Sequence, residues 1–215
     1  MGASRQQSPQ MAKELLGKGV LIQEAAKRLF MSQGYLATSM DAIAGAAGVS
    51  KATLYAHFKS KQALFEAMVQ ERFRANMGEN LLPLHLGDDP YEGLLAVAKR
   101  FLGMLLAQDA LAAVRLVLAE STRLPELSEA FYRSGPARTL QMVATYLDYL
   151  HQQGRLHVPD PATGADLFLG QLKGKLYLKC LLGLQNEASS EEIERHAAVA
   201  AAAFVASCAP VIPKK

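Results

Sequence analysis

The residues with the most chemical reach lie in one short run, Gly48-Val49-Ser50-Lys51-Ala52-Thr53-Leu54-Tyr55-Ala56-His57-Phe58. Read as a helix of barely two turns opened by Ser50, it turns Val49, Leu54 and Phe58 toward a core. Ser50, Lys51, Thr53, Tyr55, His57 and, just beyond, Lys61 are left as a polar rim. Such a rim suits the binding of anions and hydrogen-bonding edges. Lys51, near a helix start, reaches a phosphate or a guanine edge. Thr53 can donate, accept, or pack its methyl on thymine. Tyr55 and His57 carry polar tips on rigid rings suited to phosphate oxygens. Lys61, with the N–H groups at the start of the following helix, offers a further phosphate contact, as do Thr38 and Ser39 upstream. A helix of this size fits a DNA major groove about 12 Å wide. Each residue also has a plainer use: Thr38, Ser50 and Ser60 suit helix capping equally well, Tyr55 a half-buried position, and His57 an ordinary surface site.

The elements that would hold this rim are helical. No stretch alternates with a period of two, so the chain reads as all-α. A first helix is expected from about Lys18 to Gln33 after an arm of about twelve residues, with Leu21, Ile22, Ala25, Ala26, Leu29 and Phe30 on one apolar face. Gly34 suits a left-handed stop. Thr38-Ser39-Met40-Asp41 resembles a capping box and opens a short helix through Ala47, with Ile43, Ala44 and Ala47 inward. Gly48 makes a tight turn. Ser50 caps the next helix, Lys51 to about His57, and Ser60 caps a longer one through about Asn76. Two very short helices joined by a glycine turn, between two longer ones, outline a helix-turn-helix at about 39–58. Domains are expected at 1–76 and 77–215, separated by the Leu-Pro and Gly-Asp-Asp-Pro stretch. Helical runs follow at about 91–107, 109–122, 125–153, 162–184 and 190–208, the third broken by Gly135-Pro136.

Composition and charge narrow the classes. At 215 residues and 50% apolar, the chain can bury a core, which excludes disorder as its main state. Residues 1–80 hold ten Lys and Arg against six Asp and Glu, and residues 81–215 hold thirteen against fourteen. A basic front on a neutral rear suits an anionic partner, nucleic acid first. His85, His151, His157 and His196 share no face, and there is no Ser/His/acid group or phosphate loop, so neither enzyme activity nor a metal or cofactor is expected. Cys180 and Cys208 sit in apolar stretches and read as buried free thiols. The nearest approach to a membrane span, His196–Pro213, is alanine-rich and short, so a cytoplasmic protein is expected.

The stretch from Phe30 to Val69, FMSQGYLATSMDAIAGAAGVSKATLYAHFKSKQALFEAMV, resembles the DNA-binding domain of the TetR family of bacterial transcriptional regulators. The likeness rests on Phe30, Gly34-Tyr35, Thr38-Ser39, Ile43-Ala44, Ala47-Gly48-Val49-Ser50-Lys51, Thr53-Leu54-Tyr55, His57-Phe58, Lys61 and Leu64. Ala52 departs from it, standing where many members carry glycine. The resemblance implies DNA-facing positions at Thr38, Ser39, Ser50, Lys51, Ala52, Thr53, Tyr55, His57 and Lys61. It also implies an all-helical homodimer with a ligand-responsive C-terminal domain. Arg115 to Tyr132, followed by Gly135-Pro136, resembles the C-terminal domain of the AefR-like subgroup.

The rear half suits two tasks, dimerising and sensing. Gly170 and Gly174 share a helix face and Ala198–Ala203 is small-sided, so the runs at about 162–184 and 190–208 suit a four-helix dimer interface, or packing within one monomer. Phe101, Met104, Leu105, Met142, Tyr146 and Phe168 are the pocket candidates for a small apolar effector, and equally suit a plain core. Arg115 and Glu120, if turned inward, call for pairing with each other or with a ligand. Lys173, Lys175 and Lys179 suit a solvated edge. The reading that results is a repressor released from a palindromic double-stranded operator by a small apolar or amphipathic molecule. Its competitor is a DNA-binding regulator with a filled core, constitutive or governed by a protein partner.

Overall fold

The computed structural model describes residues 9–77 and 89–209, with side chains from 17–75 and 89–209. Among them the secondary structure is helical throughout: α1 (Pro9–Gln33), α2 (Met40–Ala47), α3 (Lys51–His57), α4 (Lys61–Met77), α5 (Pro90–Leu105), α6 (Gln108–Glu120), α7 (Pro125–Ser134), α8 (Pro136–Gln152), α9 (Pro161–Leu172), α10 (Lys175–Leu181) and α11 (Ser190–Ser207). The chain forms two units, Met1–Met68 with Leu116–Ala130, and Val69–Arg115 with Phe131–Lys215. The division therefore runs through α4, α6 and α7.

Two boundaries differ from the periodicity. Helix α1 starts at Pro9, well before Lys18, because proline at a first helical position has its φ preset and gives up an N–H that would be unpaired anyway. The remaining expected arm, residues 1–8, lies outside the described residues. The run at 162–184 is two helices, since Gly174 takes an extended backbone (φ −66, ψ −152) between α9 and α10. The run at 125–153 is interrupted where Gly135-Pro136 indicates, because Pro136 starts α8 without an N–H to continue α7.

In the first unit, Ile22, Ala25, Ala26 and Phe30 of α1 are buried with Ile43, Ala44, Leu54, Leu64 and Phe65. Phe30, Tyr35 and Phe65 form a ring cluster with centroids 5.1 to 6.2 Å apart. Burial, with Glu126 and Glu66 adding to it, pushes the Tyr35 phenol up to about 12. Leu21, expected inward, is exposed, because it stands about 100° around the helix from Ile22 at the edge of the stripe.

In the second unit, α5 packs on α11 and α8 on α9. Leu94, Val97, Phe101 and Leu102 meet Tyr146, Leu147, Phe168, Leu172, Ala197, Ala201 and Phe204 in one core. The alanines of α11 bring α5 close. Asp160 caps α9 through the N–H groups of Ala162 and Thr163, and the hydrogen bond from the Thr163 hydroxyl, with these N–H bonds adding to it, lowers its carboxyl below the usual range. Ser189 and Glu192 form a full capping box on α11. Cys180 is buried, and burial pushes its thiol up. Cys208, expected buried, is only partly so, and both are free. Among the described residues no single helix is long and apolar enough to cross a membrane.

Gly93 of α5 is buried directly under the Tyr146 ring and hydroxyl, so a Cβ there would collide with them. Gly93→Ala should destabilise the protein by about 1–3 kcal/mol in urea unfolding. Adding Tyr146→Phe should restore part of the loss, and an unchanged midpoint for the single variant would contradict this packing.

Candidate nucleic-acid interface

The rim depends on how α2 ends and α3 begins. Gly48 adopts a left-handed conformation (φ 66, ψ 30) that a side chain would strain. Its N–H donates to Gly45 O, and the Val49 N–H donates to Ala44 O, closing the end of α2. Ser50 then caps α3: its Oγ accepts from the Thr53 N–H at 3.1 Å and shares a 2.9 Å hydrogen bond with Thr53 Oγ1. Leu54 is wholly buried and fixes the helix to the core. The face opposite it exposes Lys51, Ala52, Tyr55 and Ala56, with Tyr55 49% accessible.

Ser39 is exposed at the start of α2 and caps it, its Oγ accepting from the Ala42 N–H at 3.1 Å. Thr38 is buried, and its hydroxyl donates to Gly34 O at 2.8 Å. The cap thus falls one residue later than the capping-box pattern indicates. Asp41, freed of that duty, accepts from Lys51 Nζ at 2.5 Å, and this bond raises the lysine's proton affinity above the ordinary value.

Two residues expected on the rim face inward. The His57 ring stacks beside Gly19 of α1, Nδ1 lying 3.5 Å from where a Cβ on that glycine would stand. Its Nε2 is buried with no hydrogen-bond partner among the described residues. His57 stands three residues after the buried Leu54 and so shares the face of α3 that turns to α1. Lys61 Nζ donates to the carbonyls of Tyr35, Thr38 and Leu36 at 2.7, 2.8 and 3.3 Å and sits 4.5 Å above the Tyr35 ring. An ammonium has three protons, and here each has a carbonyl of the α1–α2 loop. Burial lowers the Lys61 ammonium below the ordinary lysine value, and Glu120 works against that shift. The sequence pattern marked Lys61 without revealing that its duty lies inside the protein.

A cavity of about 240 Å³ lies within the second unit. Phe101, Met104 and Leu105 line it. Val69, Arg72 and Phe73 of α4, Phe131 and Tyr132 of α7, and Thr139 and Leu140 of α8 complete much of the wall. Met142, Tyr146 and Phe168 do not line it. Tyr146 lies over Gly93 and Phe168 packs on Phe204 at 5.1 Å, on helix faces turned to α5 and α11. The missed wall residues follow from the Gly135-Pro136 break, which brings the end of α7 to the cavity beside the start of α8. Arg72 is ion-paired with Asp109. Arg115 donates to the carbonyls of Leu181 and Cys180 at 2.8 and 2.6 Å, so it caps α10 and is not paired with Glu120. Lys173, Lys175 and Lys179 are exposed, as are Leu167, Leu178, Leu182 and Val199 on the outer faces of α9 to α11.

Residues 22–68 match the description "Bacterial regulatory proteins, tetR family", and residues 92–209 match "AefR-like transcriptional repressor, C-terminal domain". The chain belongs to the TetR family. It is 37% identical to the Flavonoid-responsive Regulator FrrA, over 91% of this chain and 99% of that one, with a TM-score of 0.76. It is 32% identical to a TetR-family transcriptional regulator from Mesorhizobium loti, over 90% and 97%, with a TM-score of 0.77. It is 28% identical over 182 residues to the HTH-type transcriptional regulator UidR of Escherichia coli, covering 83% of this chain and 85% of that one. This TetR-family protein is therefore a DNA-binding transcriptional regulator and not an enzyme, from a family that binds operators as dimers.

The Lys61 clamp makes a direct test. Lys61→Met should leave three loop carbonyls without their cation and cost about 2 kcal/mol in urea unfolding. A variant as stable as wild type would show that the clamp does not hold the loop.

Proposed function

We propose that this TetR-family regulator is a ligand-responsive repressor, released from a palindromic operator in the cytoplasm by a small apolar or amphipathic effector. The observation that carries the reading is the apolar cavity, walled by Phe73, Phe101, Phe131, Met104 and Leu105. Aromatic walls suit a flat ring. The polar groups of the wall include Arg72, ion-paired with Asp109, and Thr139, whose hydroxyl donates to Gly135 O and keeps its lone pairs for a ligand donor. The name of the related FrrA, flavonoid-responsive, fits that class of effector.

On the DNA side, Ser39, Ser50, Lys51, Ala52, Thr53 and Tyr55 form the contacting set. Lys51 takes phosphate or guanine, Thr53 offers its methyl to a base edge, and Tyr55 donates to phosphate. Thr38, His57 and Lys61 support that set from inside. The dimer forms through α9, α10 and α11, whose exposed Leu167, Leu178, Leu182 and Val199 lie with Gly170, Ala202, Ala203 and Ala206. Small residues let helices approach and leucines supply area, which is the composition of a four-helix interface. Two α3 helices then enter grooves about 34 Å apart or a multiple of that. An effector that binds one packing of the rear unit more tightly shifts the dimer away from that spacing, with coupling of about 1–3 kcal/mol.

Two outcomes are expected. With an operator selected from random duplexes, Lys51→Ala should weaken binding to all sequences and reduce the salt slope by about 1.8 for the dimer, one phosphate contact being lost per subunit, whereas Thr53→Ala should alter base preference at one position per half-site. In thermal-shift and anisotropy assays, a flavonoid panel should contain a compound that raises the melting temperature and weakens operator binding about 5-fold or more. Indifference to all such compounds would favour regulation by a protein partner or none.

A further inference from the structure

We infer that Asp41 limits this protein's affinity for DNA by competing with phosphate for Lys51. The inference rests on the reading of α3 as the DNA-facing helix. Lys51 is the first residue of α3 and Asp41 lies in the first turn of α2, so their pair spans the turn between the two helices. Lys51 Nζ and Asp41 Oδ2 are 2.5 Å apart, and the two side chains are 67% and 57% accessible. The pair therefore stands at the surface where the backbone of a duplex would arrive.

The charge balance of that surface gives the pair its weight. Between Gly34 and Phe65 the sequence holds three lysines, Lys51, Lys59 and Lys61, and one acid, Asp41. Lys61 spends its charge on the carbonyls of the α1–α2 loop. The His57 ring is turned toward α1. Lys51 is then the one lysine on α3, and Asp41 neutralises it. A phosphate reaching Lys51 must displace the carboxylate and accept it as a like-charged neighbour. Exposed ion pairs are weak, so the exchange is possible on every encounter but lowers affinity each time. A binding energy held down in this way is one that a modest effector can reverse.

The test uses a fluorescein-labelled duplex of mixed sequence, roughly 30 base pairs long, titrated by anisotropy over a range of NaCl concentrations. The proteins are the full-length wild type, Asp41→Asn, Lys51→Met and the double variant, each with its melting temperature measured. Asp41→Asn should tighten binding about two- to five-fold at low salt. That gain should vanish in the Lys51→Met background, and Asp41→Glu should restore wild-type affinity. Tighter binding by Asp41→Asn that persists undiminished with Lys51→Met would overturn the inference, because Asp41 would then act by direct repulsion. So would weaker binding accompanied by a lower melting temperature, which marks a purely structural role, or unchanged binding. If Lys51→Met itself leaves affinity and salt slope unaltered, the reading of α3 as DNA-facing fails, and this inference with it.

Discussion

A seven-residue helix cannot hold its own shape in water, because nucleation costs more than two turns of hydrogen bonds return. Helix α3 exists because its neighbours impose it. Gly48 turns the chain, Ser50 takes the first free N–H, and Leu54 is wholly buried in the core of the first unit. One anchored side confines α3 to one orientation and leaves Lys51, Ala52 and Tyr55 free of internal duties of packing. The same logic explains Lys61. The loop between α1 and α2 must keep its carbonyls satisfied while it positions Ser39, and a single ammonium does this for three of them.

Much of this arrangement was legible in the sequence. Gly34, Gly48, Ser50 and Ser60 act as stops and caps because backbone geometry and a nearby hydroxyl are local properties, visible in residue order. Leu54 and Phe30 were legible through helical spacing. The inward turn of His57 and the duty of Lys61 were not, since both depend on residues far along the chain, Gly19 in one case and Tyr35 to Thr38 in the other. Thr38 was misplaced by one residue because Thr and Ser cap equally well, and burial decided between them. The split of the 162–184 run depended on the backbone of Gly174, which helical spacing does not register.

The rear unit shows the same limit. Phe101, Met104 and Leu105 reach the cavity because one face of α5 is apolar over its whole length. Tyr146 and Phe168 carry the same chemistry on faces that meet other helices, and spacing alone does not tell the two faces apart. The break at Gly135-Pro136 was visible, but its consequence for the cavity wall was not. Helix α4 contributes Lys61 to one unit and Val69, Arg72 and Phe73 to the other, so one continuous element carries both the loop clamp and part of the cavity wall.

The most direct test of the account is a chemical footprint of the dimer on a duplex selected for tight binding, taken with and without an effector found by thermal shift. The account predicts two protected major-groove patches related by two-fold symmetry, about 34 Å apart or a multiple, both fading when the effector is added. A single patch, protection confined to the minor groove, or protection that the effector leaves intact would contradict it.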